Sequence, residues 1–140
     1  MTDAAKTIEV TVERTIPAPP EQVFDAWLNP KVPGTTWHMA DKFVLDPKVD
    51  GLFFWTIKGT SHYGRFTEMQ RPARMQHTWM SPNTSGLEST VTVTFKKQGK
   101  DTLMTLVHAG LPDTNQGKGH EKGWTMFLGN FGGQFGTTQS

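Results

Sequence analysis

Cysteine is absent from this chain, tyrosine occurs once, and neither sign of charge prevails. Each shortage excludes something. Without cysteine there is no disulfide scaffold, no thiol nucleophile and no thiolate metal site. Fourteen Lys and Arg stand against thirteen Asp and Glu, for a net charge of +1. A phosphate-tracking basic face is therefore not provided, and nucleic-acid binding is not expected. Long apolar runs are missing too. The longest stretch of large apolar side chains is Leu52-Phe53-Phe54-Trp55, far short of the roughly 20 residues that cross a bilayer. Met1 to Lys6 contains no apolar stretch of the kind a secretory signal needs, so a cytoplasmic protein without a membrane span is expected.

What the sequence has in plenty is aromatic and threonine. Its 140 residues, a single domain by size, include nine Phe, five Trp, seven Met and twenty Thr. Threonine favours strands. Aromatics beyond the needs of a small core either bulk out that core or line a cavity.

Strand patterns dominate the chain. Thr7 to Ile16 alternates Ile8, Val10 and Val12 with Thr7, Glu9, Thr11 and Glu13, the period of a half-buried strand. Pro17, Pro19 and Pro20 end it. Proline pre-sets φ for a first helical turn and Glu21 suits the positive end of a helix dipole, so Pro19 to Leu28 reads as a short helix. Its buried face would be Val23, Phe24 and Trp27, and Asn29-Pro30 stops it. Residues 31–40 read as a loop or one irregular helical turn. Strands are then expected over 42–46, 51–58, 61–70, 73–80, 88–97 and 101–109. The connectors between them are short and rich in turn residues, for example Lys58-Gly59-Thr60 and Gln98-Gly99-Lys100, which implies antiparallel pairing.

The last segment changes period. Trp124, Phe127, Leu128, Phe131 and Phe135 fall on one stripe of a helix, although Gly129, Gly132 and Gly133 weaken it by about 1 kcal/mol each. Gly117, Gly119 and Gly123 read as loop, and Gly136 to Ser140 as a disordered tail. The expected class is α+β, one domain over 1–140 with an ordered core of about 7–135. A curved, seven-stranded antiparallel sheet would wrap around a long C-terminal helix, with one or two short helices after the first strand. A space between sheet and helix is where a ligand would go.

Several stretches carry a resemblance. They are Thr15-Ile16-Pro17-Ala18-Pro19-Pro20-Glu21-Gln22-Val23-Phe24-Asp25-Ala26-Trp27 with Asn29-Pro30, Gly64-Arg65-Phe66-Thr67-Glu68 leading to Arg71-Pro72-Ala73-Arg74-Met75, and His77-Thr78-Trp79. Ser89 to Phe95, Leu106-Val107-His108-Ala109-Gly110-Leu111-Pro112, and Gly123-Trp124 opening the final helix complete the set. Together they resemble the SRPBCC (START/Bet v 1-like) superfamily over roughly residues 7 to 135, in the branch related to the activator of Hsp90 ATPase. The resemblance implies a helix-grip fold with a deep cavity between sheet and C-terminal helix. It does not imply one activity, since the superfamily spans lipid carriers, hormone receptors, cyclases and chaperone regulators. Many relatives carry a double Trp after the first helix where this chain has Thr36-Trp37-His38, which points to a different pocket mouth.

Alternation assigns faces. Met75, His77 and Trp79 share one side of their strand, Val91, Val93 and Phe95 one side of theirs, and Met104, Leu106 and His108 one side of the last. In 51–58 the alternation allows either Phe53, Trp55 and Ile57 or Leu52 and Phe54 to face inward, and the set with Trp55 is favoured. In 61–70, Tyr63 and Phe66 lie on opposite faces, and only one set can meet the helix. The candidate ligand-binding residues are thus Trp55, Tyr63, Met75, His77, Trp79, Met104, Leu106, His108, Trp124, Phe127 and Phe131. The same residues equally suit a plain core.

His77 and His108 are the candidate catalytic groups. Burial would depress either ring and leave it a base near neutrality, with Tyr63 or Glu68 as partner in a cyclase- or isomerase-like proton transfer. Neither the spacing of the five histidines nor a nearby carboxylate suggests a metal site, and no cofactor is expected. The leading expectation is binding of a small hydrophobic, aromatic or lipid-like molecule. An acid/base enzyme and a chaperone-associated regulator with a stress-response role are the alternatives, and a homodimer is left open.

Overall fold

The structure is a computed structural model and describes residues 7–135; the tail read as disordered, 136–140, lies outside the described residues. Seven strands form one antiparallel sheet: β1 (Thr7–Ile16), β2 (Lys42–Leu45), β3 (Leu52–Ile57), β4 (Thr60–Gln70), β5 (Arg74–Trp79), β6 (Ser89–Gln98) and β7 (Asp101–Pro112). Their order is β1-β7-β6-β5-β4-β3-β2. Consecutive hairpins build β2 through β7. The β3–β4 turn is set by Lys58 and Gly59, both at positive φ, between the paired Ile57 and Thr60, the geometry that matches strand twist. Only the pairing of β1 with β7 joins distant parts of the chain.

Between β1 and β2 lie α1 (Pro20–Trp27) and the single turn α2 (Thr36–Met39). Pro20 occupies the first turn of α1, and Val23, Phe24 and Trp27 face inward. Phe24 meets Phe95 of β6 edge-on at 5.2 Å. The hydroxyl of Thr35 accepts from the His38 backbone N–H to cap α2. Trp37 Nε1–H donates to the Trp27 carbonyl at 3.1 Å, which ties α2 to the end of α1.

The C-terminal helix α3 runs from Asn115 to Gly132, so it begins about two turns before Gly123. The reading of Gly117, Gly119 and Gly123 as loop is therefore corrected. Two local features overcome the low helix propensity of these glycines. Thr114 caps the helix by accepting from the Gly117 N–H at 3.0 Å, and Gly117 itself sits against the end of β7. A Cβ there would fall 1.9 Å from the Pro112 carbonyl oxygen, so only glycine fits. The stripe also stops earlier than its spacing suggests: Phe135 lies past the helix end and packs on Phe131 at 5.2 Å.

Strand faces follow the alternation. Val91, Val93, Phe95, Met104, Leu106, Met75 and Trp79 are buried on the inner face, together with Phe53 and Trp55. In β4 the inner set is His62, Gly64 and Phe66, which puts Tyr63 outside. A register irregularity between Phe66 and Glu68 then shifts the parity, and Met69 packs partly against the core. Glu68 turns instead to an ion pair with Arg74 at 2.9 Å.

Candidate binding cleft

The interior between sheet and α3 is not one deep hollow. Its larger part is filled. Phe131 stacks edge-on against Trp27 at 5.0 Å, and Met75, Met104, Leu106 and Phe131 are wholly buried. The four expected at a cavity wall are thus core residues, held there because α1 and the second half of α3 close over β1, β7 and β6. Space remains towards the other end of the sheet. There the first half of α3 faces the β3–β4 hairpin across an open cleft of about 720 Å³.

Trp55, Trp79, Trp124 and Phe127 form the aromatic walls of this cleft, as the alternation and the helical stripe suggested. Trp79 and Trp124 pack at 5.1 Å between ring centres, and Phe127 lies edge-on to Trp55 at 6.4 Å. Met39 of α2 and Met126 of α3 add apolar surface, and Lys58, Asn83 and Gln116 add polar groups. Met39 at the mouth comes from the segment in which this chain carries Thr36-Trp37-His38.

Tyr63 does not belong to the cleft. It is 45% exposed on the outer sheet face, paired with Phe54 at 5.9 Å, because His62, Gly64 and Phe66 take the inner positions. Neither Tyr63 nor Glu68 is placed to partner His77 or His108 in proton transfer.

The histidines separate into three roles. His108 is fully buried behind Trp124 and does not line the cleft. Trp124 Nε1–H donates to its Nδ1 at 3.0 Å, so the neutral ring carries its proton on Nε2 and donates to Ser89 Oγ at 2.7 Å. The Ser89 hydroxyl in turn donates to the Trp79 carbonyl at 2.7 Å. The chain of bonds is complete, and burial, with His120 and His77 nearby, pushes the ring down to about 2. His108 therefore locks α3 to β6 and β7.

His77 lies outside the cleft, caged by Phe53 at 4.8 Å and Phe66 at 5.5 Å, and its Nδ1–H donates to the Thr78 carbonyl at 2.8 Å. Burial lowers it to about 4, partly offset by that carbonyl. Val91 of the intervening strand stands between His77 and His108 in the register.

Two further histidines do line the cleft, and the sequence reading passed over both. His62 stacks flat on Trp55, with ring centres 4.0 Å apart and planes 8° from parallel. Burial pushes it down to about 4, with the Trp55 and Thr60 carbonyls offsetting and His120 adding to the effect. His120 holds its Nδ1–H against the Gln116 and Gly117 carbonyls at 2.9 and 3.2 Å, and burial lowers it as well. Both were within reach of pattern arguments. His62 shares parity with Phe66, and His120 sits one turn before Trp124 on the same helical stripe.

The cleft also contains a polar anomaly. Among the described residues, Trp55 Nε1, Trp79 Nε1 and His62 Nδ1 are buried side-chain atoms without a hydrogen-bond partner. Leaving one such group unsatisfied costs about 1–3 kcal/mol, and here all three sit in one wall.

A family model described as activator of Hsp90 ATPase homolog 1-like protein matches residues 17–135. Solved structures share the fold. A protein from Chromobacterium violaceum is 21% identical, with 93% of this chain and 98% of that one covered and a TM-score of 0.76. One from Mesorhizobium loti is 20% identical, with coverages of 91% and 96% and a TM-score of 0.74. An Hsp90 activator from Plasmodium falciparum is 25% identical, with coverages of 88% and 89% and a TM-score of 0.69. No curated protein sequence matches the chain.

Proposed function

The chain belongs to the activator of Hsp90 ATPase homolog 1-like family, and on that premise we propose that it binds a small hydrophobic molecule, aromatic or lipid-like, in the cleft between α3 and the β3–β4 hairpin. The carrying observation is the cleft itself: about 720 Å³ of space walled by Trp55, Trp79, Trp124 and Phe127. Apolar walls with a few polar groups are the usual form of a small-molecule site. The site works by burial, with the four aromatic rings of the walls favouring a flat or extended apolar ligand. A cytoplasmic setting is part of this reading; no described helix is long and apolar enough to cross a membrane.

Titration with a hydrophobic fluorescent dye tests it. Dye uptake by the native protein should fall at least severalfold in Phe127→Ala, a change at the half-buried rim that spares the core. Absence of uptake, or uptake equal in the variant, would sink the proposal.

Proton-transfer catalysis by His77 or His108 is the weaker reading, because one lies outside the cleft and the other has both nitrogens engaged. A chaperone-regulator reading is favoured by one separate feature. Val44, Phe54 and Tyr63 form a row across β2, β3 and β4 on the outer face, continued by Met80 just past the end of β5, with Val44 and Tyr63 well exposed. Stimulation of an Hsp90 ATPase that is lost in Tyr63→Glu would support it, and no stimulation would remove it.

A further inference from the structure

Resting on the cleft-binding reading, the chemistry of the ligand can be narrowed by what the wall leaves unsatisfied. Trp55, His62 and Trp79 form a closed triangle of rings, with centres 4.0, 5.1 and 5.7 Å apart. Each is more than nine-tenths buried, each borders the cleft, and each carries a nitrogen without a partner. An indole nitrogen can only donate. Two buried donors side by side therefore call for an acceptor, and buried polar groups in folded proteins are nearly always paired. Trp124 is the contrast within the same wall: its indole N–H is satisfied by His108, so the unpaired state is particular to the triangle.

We propose that the ligand is an aromatic or similarly flat apolar molecule bearing an uncharged oxygen acceptor, a ketone, quinone or phenol oxygen, which the indole N–H groups of Trp55 and Trp79 bind beside His62. Charge on the ligand is disfavoured by the surroundings. Lys58 is the cationic side chain of the lining and stands exposed at the rim, and burial holds His62 and His120 neutral near pH 7. A carboxylate carried to the triangle would be buried without a counter-charge. Both indole nitrogens are buried beneath the wall, so the oxygen reaches them only when the half-buried Phe127, edge-on to Trp55, turns aside.

A matched pair of probes isolates the acceptor. Fluorene and 9-fluorenone share one flat frame and differ by a ketone. Calorimetric titration of the whole chain should show 9-fluorenone binding about tenfold more tightly than fluorene, the scale of a buried neutral hydrogen bond. Trp55→Phe and Trp79→Phe keep an aromatic wall and remove a donor, and each should reduce the ratio of 9-fluorenone to fluorene affinity severalfold, whatever loss the two probes share. In the native protein the indole N–H resonances of Trp55 and Trp79 should shift with 9-fluorenone and not with fluorene, a readout that holds even where a variant folds poorly. Equal binding of the two probes with unmoved indole signals would overturn the acceptor site, leaving internal water as partner of these donors and the cleft reading intact. Tighter binding of fluorene-9-carboxylate than of 9-fluorenone would overturn the uncharged class. Binding of neither probe would overturn the acceptor site and the cleft reading together.

Discussion

A ring whose Nδ1 accepts from an indole and whose Nε2 donates to a hydroxyl has no lone pair left for a substrate proton, and His108 is such a ring. Its value is mechanical, and the partner most easily removed is Ser89. Ser89→Ala leaves His108 Nε2–H and the Trp79 carbonyl without their bond, so chemical denaturation should show a loss of about 1–3 kcal/mol; no loss would mean that the chain of bonds contributes nothing. Buried histidines also set a pH response. Below their usual value near 6.5, rings in the unfolded chain take up protons that His62 and His77 refuse until about 4. Stability is then fully present above pH 6.5 and declines as pH falls towards 4, with a slope approaching about 1.4 kcal/mol per pH unit for each ring. His77→Phe, set among Phe53 and Phe66, should flatten the urea-midpoint profile over pH 7 to 5, and an unchanged slope would refute the assignment. At this scale alternation made His77, His108, Trp55 and Trp79 legible as inner-face residues. It could not distinguish a satisfied histidine from a free one, because that depends on Trp124 and Ser89, which lie 16 positions after His108 and 19 before it.

Among the elements, α3 is the one whose sequence most understates it. Glycines at 117, 119 and 123 have poor propensity, and the helix is fixed there by the Thr114 cap and by contact with β7. A methyl group would meet backbone at Gly117 and nothing within 4 Å at Gly119 or Gly123. Gly117→Ala drives a Cβ into the Pro112 carbonyl, backbone against backbone, and should cost about 1–3 kcal/mol in thermal or chemical unfolding. Gly119→Ala meets nothing within 4 Å and should stabilise the helix by up to about 1 kcal/mol. Because Gly119 borders the cleft, the same substitution should weaken dye uptake while raising the melting temperature. A rise in both would show that room at this position is unimportant. The strands were easier to read than α3 because period 2 survives isolated exceptions. In β4 large side chains fall on both parities, Tyr63 on one and Phe66 on the other, so alternation alone does not assign the face of Tyr63.

Over the whole molecule, the hairpin series β2 to β7 and the covering helix were legible, since turn residues mark every short connector. How much of the space under the helix is filled was not, because that depends on volumes contributed by Trp27, Trp37 and Phe131 from segments far apart in sequence. The result is a division along the sheet: a packed end at β1, β7 and β6, and an open end at the β3–β4 hairpin. The supports of α3 give this division a further meaning. Near its start, Gly117 rests on the Pro112 carbonyl, and near its end a Cβ on Gly132 would lie 2.3 Å from the Arg14 side chain, with Gly34 of the α1–α2 loop pressed against the backbone at Phe131. The helix is therefore held near both ends and, through the bond from Trp124 to His108, at its middle as well. A helix held in this way is a fixed wall, so the width of the opening is set by the opposite side, where the β3–β4 hairpin and Met39 border the cleft.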